Sequence, residues 1–237
     1  LGNSRSNPNE NYAREILQLF SVGQDKLNID GTPQLDAQGN RIPTYDQTTI
    51  TNFARVFTGW RLAAPKVTVI NGVSYNVFNY QDPMIVTNEN NHDINQKVLL
   101  NGAVLPAGQN STQDLTGALD NIFNHPNVGP FIGRQLIQHL VTSNPSPAYV
   151  ERVARVFNNN CAGLYPSSPC SGGRGDLKAV VTAVLLDPEA RGDAKTDPSY
   201  GRLREPAQFI TNLLRVTNSP SDGYLNPNSA TLDQDVF

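Results

Sequence analysis

Two carboxylates lie five residues apart in Asn9-Glu10-Asn11-Tyr12-Ala13-Arg14-Glu15, with an arginine between them. On a helix, Glu10 and Arg14 are four apart and face each other on the polar side, a spacing that supports an ion pair. Glu15 falls about one quarter turn from Arg14, at the border with the apolar stripe. A carboxylate half-buried at such a border has a raised pKa unless a cation holds it down, which suits a general acid or base. Glu15 is therefore the candidate acid/base, Glu10 the second carboxylate and Arg14 a substrate-positioning group. The competing expectation is a solvated Glu/Arg face, because acidic residues near a helix N-terminus are favoured by the macrodipole alone.

The second constellation is Asn90-Asn91-His92-Asp93-Ile94-Asn95-Gln96-Lys97. A His beside an Asp in a polar segment acts as an acid/base or binds metal if other groups converge on it, and is otherwise a loop histidine. His92 joins the catalytic candidates, and Asp93, Lys97 and Arg134 join Arg14 as candidate substrate-binding residues. His125 precedes Pro126 at a helix start, where a cap or loop role is expected. His139 falls beside Ile132 and Leu136 on the helical wheel, as a core-edge histidine. Arg202-Leu203-Arg204-Glu205-Pro206 sets two cations and an acid before a helix, which suits an anion or an ion pair equally.

Several signatures are absent. There is no His-Glu-x-x-His, Gly-x-Ser-x-Gly, phosphate-binding glycine loop or dinucleotide fingerprint, so no cofactor is indicated. Asn28-Ile29-Asp30-Gly31 lacks the repeated oxygen ligands and closing Glu of a calcium loop. With three histidines in the chain, a mononuclear zinc site would need carboxylate ligands.

Cys161 and Cys170 bracket a turn-rich loop, Ala-Gly-Leu-Tyr-Pro-Ser-Ser-Pro, and are expected to form a disulfide. Such a bridge stabilises by roughly 2–3 kcal/mol through the unfolded chain and implies an oxidising compartment: periplasm, cell surface or medium. Abundant Asn, Gln, Ser and Thr with little Lys fit an exported protein. The net charge of −3 offers no basic field for nucleic acid or anionic lipid. No run of about 18 apolar residues is present, so no membrane span is expected. No leader is visible at Leu1-Gly2-Asn3-Ser4, and the start reads as trimmed.

The elements that must position these groups are mostly helical. Tyr12, Ile16, Leu19 and Phe20 define one face of a helix over Asn9–Val22, with Gly23 as its C-cap. Asp46 caps a helix carrying Ile50, Phe53, Ala54 and Phe57 at helical spacing. Ser111 with Asp114 reads as a capping box opening a helix to about Asn124. A further helix begins near Pro126 and runs through Ile132, Leu136 and Leu140. Ser146-Pro147 starts the next, Asp176 starts an apolar one stopped by Asp187-Pro188, and a last covers Glu205–Val216. Lys66–Tyr80 alternates around Asn71-Gly72 as a hairpin, and Lys97–Leu105 around Asn101-Gly102 is a second. Gln38-Gly39-Asn40 marks a third turn. These hairpins should pack on the helical body or line an opening. The fold class is thus mainly α, an irregular multi-helix domain with two or three small β-hairpins. Residues 1–217 form a single helical domain, and 218–237 a surface loop or the start of a further segment.

In order along the chain, several blocks resemble the bacterial family known as domain of unknown function 1800. They are Asn9 to Glu15 with Leu19-Phe20-Ser21-Val22-Gly23, then Ala54-Arg55-Val56-Phe57-Thr58-Gly59-Trp60. His92-Asp93 with Lys97, His125-Pro126-Asn127 with Phe131-Ile132-Gly133-Arg134, Gly175 to Val180 and Arg204-Glu205-Pro206 complete the series. Asn91 stands where many relatives carry a second His, and the Cys161–Cys170 loop looks like a local insertion. The resemblance implies an exported, mainly helical protein about twice this length, with helical chain before the first block and more after the last. The remainder of its own parent chain is then an expected partner. The resemblance brings no assigned reaction.

Three functions fit these residues. The first is a secreted hydrolase acting on polysaccharide through Glu15 and Glu10, with His92, Asp93 and Arg14 placing the substrate. The second is a non-catalytic surface or assembly protein whose charged residues form a buried ion-pair network. The third is a metal-dependent enzyme using His92 and Asp93.

Overall fold

The computed structural model describes residues 4–162, 170, 172–192 and 200–218. Asn9 starts α1 (Glu10–Gln18) by accepting the Asn11 N–H, 2.9 Å. The helix buries Ala13 and Leu17, while Tyr12, Leu19 and Phe20 are exposed. Of the apolar face expected from periodicity, Ile16 packs against the core, and the other three positions are corrected. The helix ends at Gln18, so Leu19 and Phe20 leave the helical wheel, and Tyr12 packs edge-on to Phe57 at 4.8 Å instead. Val22 and Gly23 both donate back to the Leu17 carbonyl, and Gly23 takes a positive φ of 74°. A side chain there would collide with Phe131.

Asp46 caps α2 (Gln47–Val56) through the Thr49 N–H at 2.8 Å, and Ile50, Phe53, Ala54 and Phe57 are buried as their spacing requires. α3 (Ser111–Phe123) is capped one residue earlier than Ser111: Asn110 and Gln113 form the reciprocal box, which frees Asp114 to face inward. α4 (Val128–Leu140), α5 (Pro147–Phe157) and α6 (Leu177–Leu186) pack mutually, while α1 lies on α2, and α2 also meets α3. A short α7 (Pro188–Arg191) follows α6 directly. One continuous apolar core runs from Ala13 and Leu17 through Phe53, Ile137 and Val153 to Val184.

Buried Asn127 ties the 24–44 loop to this body. Its side chain donates to the Val22 and Asp25 carbonyls, both at 2.8 Å, and accepts the Leu27 N–H at 3.0 Å. Within that loop, the Leu35–Arg41 bridge closes the turn expected at Gln38-Gly39-Asn40.

The strands are local. β2 (Ala63–Ile70) and β3 (Val73–Asn79) form an antiparallel hairpin across Asn71-Gly72, both at positive φ as a tight primed turn demands. Its Val67, Val69, Tyr75 and Phe78 side chains are exposed, so this hairpin stands off the body. β5 (Lys97–Val98) pairs with β6 (Val104–Leu105), and β5 packs on α2. An unforeseen pair joins β1 (Trp60–Arg61) to β4 (Ile85–Val86). α8 (Pro206–Val216) buries no residue, and leaves Phe209, Ile210 and Leu213 exposed.

Cys161 and Cys170 are joined by a disulfide. Beyond Asn218, the tail expected as a surface loop lies outside the described residues. Among those described, no helix is long and apolar enough to cross a membrane.

Candidate functional site

The Glu10 end of the molecule is a closed polar cluster. Arg14 Nη2 donates to Glu10 at 2.9 Å, Gln47 Nε2 donates to both carboxylate oxygens, and Thr51 Oγ1 donates at 2.8 Å. The hydrogen bonds from Gln47 and Thr51, with Arg14 behind them, hold the Glu10 carboxyl below the usual glutamate range. Arg14 also donates to Gln47 Oε1 at 2.6 Å.

Glu15 is exposed, which corrects the half-buried border position read from the helical wheel. The wheel placed it beside a Leu19 that the helix does not include. Five residues after Glu10, Glu15 points about 140° away around α1, so the two carboxylates diverge.

Gln47, Thr51 and Arg55 follow at every fourth position of α2, forming one polar row. It leads from Glu10 to a second cluster about 12 Å along the helix axis. There Arg55 grips Asp93 with Nε at 3.1 Å and Nη2 at 3.0 Å, while its Nη1 donates to Asn52. Burial pushes the Asp93 pKa up. The Arg55 bond, the Asn95 N–H at 2.8 Å and the charges of Arg55 and Lys97 outweigh it, and leave the carboxyl below its ordinary value.

Behind Asp93 lies the buried part. The Lys97 ammonium donates to Asp114 Oδ2 at 2.5 Å, to the Asn95 carbonyl at 3.0 Å and to the Asp93 carbonyl. Its three donors thus meet three acceptors. His92 Nδ1 faces the Thr58 carbonyl at 3.0 Å, and Nε2 faces the same Asp114 oxygen at 2.9 Å. Thr58 is fixed in turn, donating to the Arg55 carbonyl and accepting the Asp93 N–H. Gly59, at φ 84°, brings its turn against the His92 backbone, where any Cβ would sit 3.3 Å from the His92 nitrogen. His92, Lys97 and Asp114 have side-chain exposures of 0, 1 and 0%.

The structure therefore joins His92, Asp93 and Lys97 in one network and sets Glu10 with Arg14 in another. Glu15 and Arg134 belong to neither. Arg134 is exposed beside a cleft of about 550 Å³ shared with Arg41 and Asp25, and makes no ion pair among the described residues. His139, expected at the core edge, is exposed, because α4 turns Ile137 inward instead. Among the described residues, no three His, Cys, Asp or Glu side chains converge as a metal site.

Sequence reasoning missed Arg55 and Asp114. Arg55 had a signal, a lone cation between buried Ala54 and Val56. Asp114 was hidden by its apparent capping role. A second ion pair was also missed: Arg152 holds the buried Asp187 at 2.7 and 2.8 Å, locking α5 to the α6–α7 junction.

Over Asp93 opens a cleft of about 650 Å³, lined also by Arg5, Trp60, Arg61, Asn91 and Asn95.

A family model described as Protein of unknown function (DUF1800) matches residues 1–237. The chain belongs to that family. No curated protein and no solved structure matches it. In this DUF1800 chain Arg55 meets the His92–Lys97 block, while the Glu10–Arg14 pair forms a separate cluster at the other end of α2.

Proposed function

We propose that this DUF1800 chain is a non-catalytic exported protein, of the cell surface or a secretion assembly, whose charged motifs are a structural ion-pair network. The observation that carries this reading is the burial of His92, Lys97 and Asp114, with every side-chain nitrogen of His92 and Lys97 in a hydrogen bond within the protein. A general base needs an open path to its substrate, and a nucleophile needs a free lone pair. A buried network of balanced charge does something else: Arg55 and Lys97 offset Asp93 and Asp114, and fix α2, β5 and α3 in register. The disulfide supports the oxidising compartment.

The glycan-hydrolase alternative needs Glu10 and Glu15 to flank one bond. The divergence of the two side chains and the saturation of Glu10 favour the structural reading. Hydrolysis of a panel of chromogenic glycosides and esters, by wild type, Glu10→Gln and Glu15→Gln, tests it. No turnover above buffer is expected from any of the three. Turnover by wild type that either folded variant abolishes would overturn the reading.

A further inference from the structure

Arg5 and Arg61 both line the cleft above Asp93, both are exposed, and neither makes an ion pair among the described residues. Trp60 lines the same cleft, and its indole N–H is buried with no hydrogen-bond partner among the described residues. Asn91 and Asn95 line the same cleft, both exposed, and their side chains make no hydrogen bond among the described residues. The single carboxylate in the lining, Asp93, is neutralised by the bidentate Arg55. The cleft is thus a local excess of two positive charges in a chain whose net charge is −3.

From this geometry we infer that the cleft binds an acidic saccharide. The guanidinium groups take the carboxylate or sulfate in the fork geometry that Arg presents. The asparagine side chains meet ring hydroxyls, and the indole supplies the apolar surface on which a sugar face rests. The network beneath gives the site its rigidity: Gly59 presses the Trp60 turn onto the His92 backbone, and Thr58 fixes Asp93. Nothing in this inference requires turnover. A saccharide that bound and was cleaved would defeat the non-catalytic reading and leave the binding site intact.

Trp60 is the sole tryptophan of the chain, so its emission reports on this cleft alone. The test titrates the protein with a galacturonic-acid tetramer, a sulfated galactose tetramer and neutral cellotetraose, followed by tryptophan fluorescence and by calorimetry. At least one acidic tetramer is expected to bind saturably with a change in emission, and the two acidic arms decide between carboxylate and sulfate. Neutral cellotetraose should give no saturable signal. An Arg5→Ala/Arg61→Ala variant should bind at least ~10-fold more weakly while melting as the wild type does, because both side chains are solvated and unpaired. Raised salt should weaken binding in the wild type and not in that variant. Calorimetry on Trp60→Phe covers the case in which emission changes without contact, and should show weakened binding. The inference is overturned if neither acidic tetramer binds by calorimetry, if cellotetraose binds as tightly, or if the arginine variant binds unchanged.

Discussion

Lys97 Nζ lies 2.5 Å from Asp114 Oδ2, and the same oxygen meets His92 Nε2 at 2.9 Å, so one carboxylate oxygen joins an ammonium and an imidazole inside the protein. This oxygen links β5, the 92–93 segment and α3, which are separate in sequence by 17 and 22 residues. Desolvating such charges costs several kcal/mol per ion, and mutual attraction offsets this only when geometry and hydrogen bonds are complete. Here Lys97 is complete, while Asp114 Oδ1 has no partner among the described residues. The pair is a fixed point around which the fold is held, and its partners cannot be removed singly without leaving a buried charge.

The Arg55–Asp93 contact makes stability depend on acid. The folded carboxyl has a lowered pKa, so its contribution is present above the unfolded value of about 3.9 and is lost as pH falls through the lower folded value. Asp93→Asn should therefore cost about 3 kcal/mol at neutral pH, with the gap to wild type closing below about pH 4. Urea unfolding of both proteins across that range measures it, and a gap constant down to the lowest pH would contradict the assignment.

His125 sets a different window. Burial first, then the charges of Lys26 and Arg174, pull its pKa down to about 4. Its Nδ1 accepts the Asn127 N–H, consistent with a neutral ring. Between that value and about 6.5, the unfolded chain binds a proton that the native chain does not, so stability declines as pH is lowered through this window. The slope is at most ~1.4 kcal/mol per pH unit, and levels off below the folded pKa. Subtracting the pH profile of His125→Gln from that of wild type should isolate this slope. Parallel profiles would show that His125 does not titrate in this way.

Asn127 predicts a local effect. Its side chain bonds three backbone groups of the 22–27 segment and lies 3.3 Å from Thr44 Oγ1. Asn127→Ala should destabilise by about 2–3 kcal/mol, since buried carbonyls and an N–H lose their partner together. Amide exchange should accelerate across residues 24–44 before it does in α5. Uniform acceleration in both would mean that the loop is not held by Asn127.

What the sequence made legible was local. Ser146-Pro147, Asp46, Asp176 and Asn71-Gly72 act on neighbours within a few residues, and each ends up in the role its chemistry suggests. The Glu10–Arg14 pair is of the same kind. What stayed hidden depended on distant partners. Asp114 read as a cap because Ser111 precedes it by three, yet Asn110 and Gln113 take that role, and Asp114 finds Lys97 and His92 instead. The face of α1 was misplaced because nothing local marks Gln18 as its end. The β1–β4 pair is two residues long on each side, too short for an alternating pattern to register. His92 and Lys97 were legible as a constellation, but not as a buried one.

The most direct measurement is a double-mutant cycle at Lys97 and Asp114, read by urea unfolding at neutral pH. Lys97→Met and Asp114→Asn should each destabilise by about 3–5 kcal/mol, and the double variant by clearly less than their sum. Single variants as stable as wild type, or more stable, would contradict the structural role and mark the network as one held under strain for another purpose.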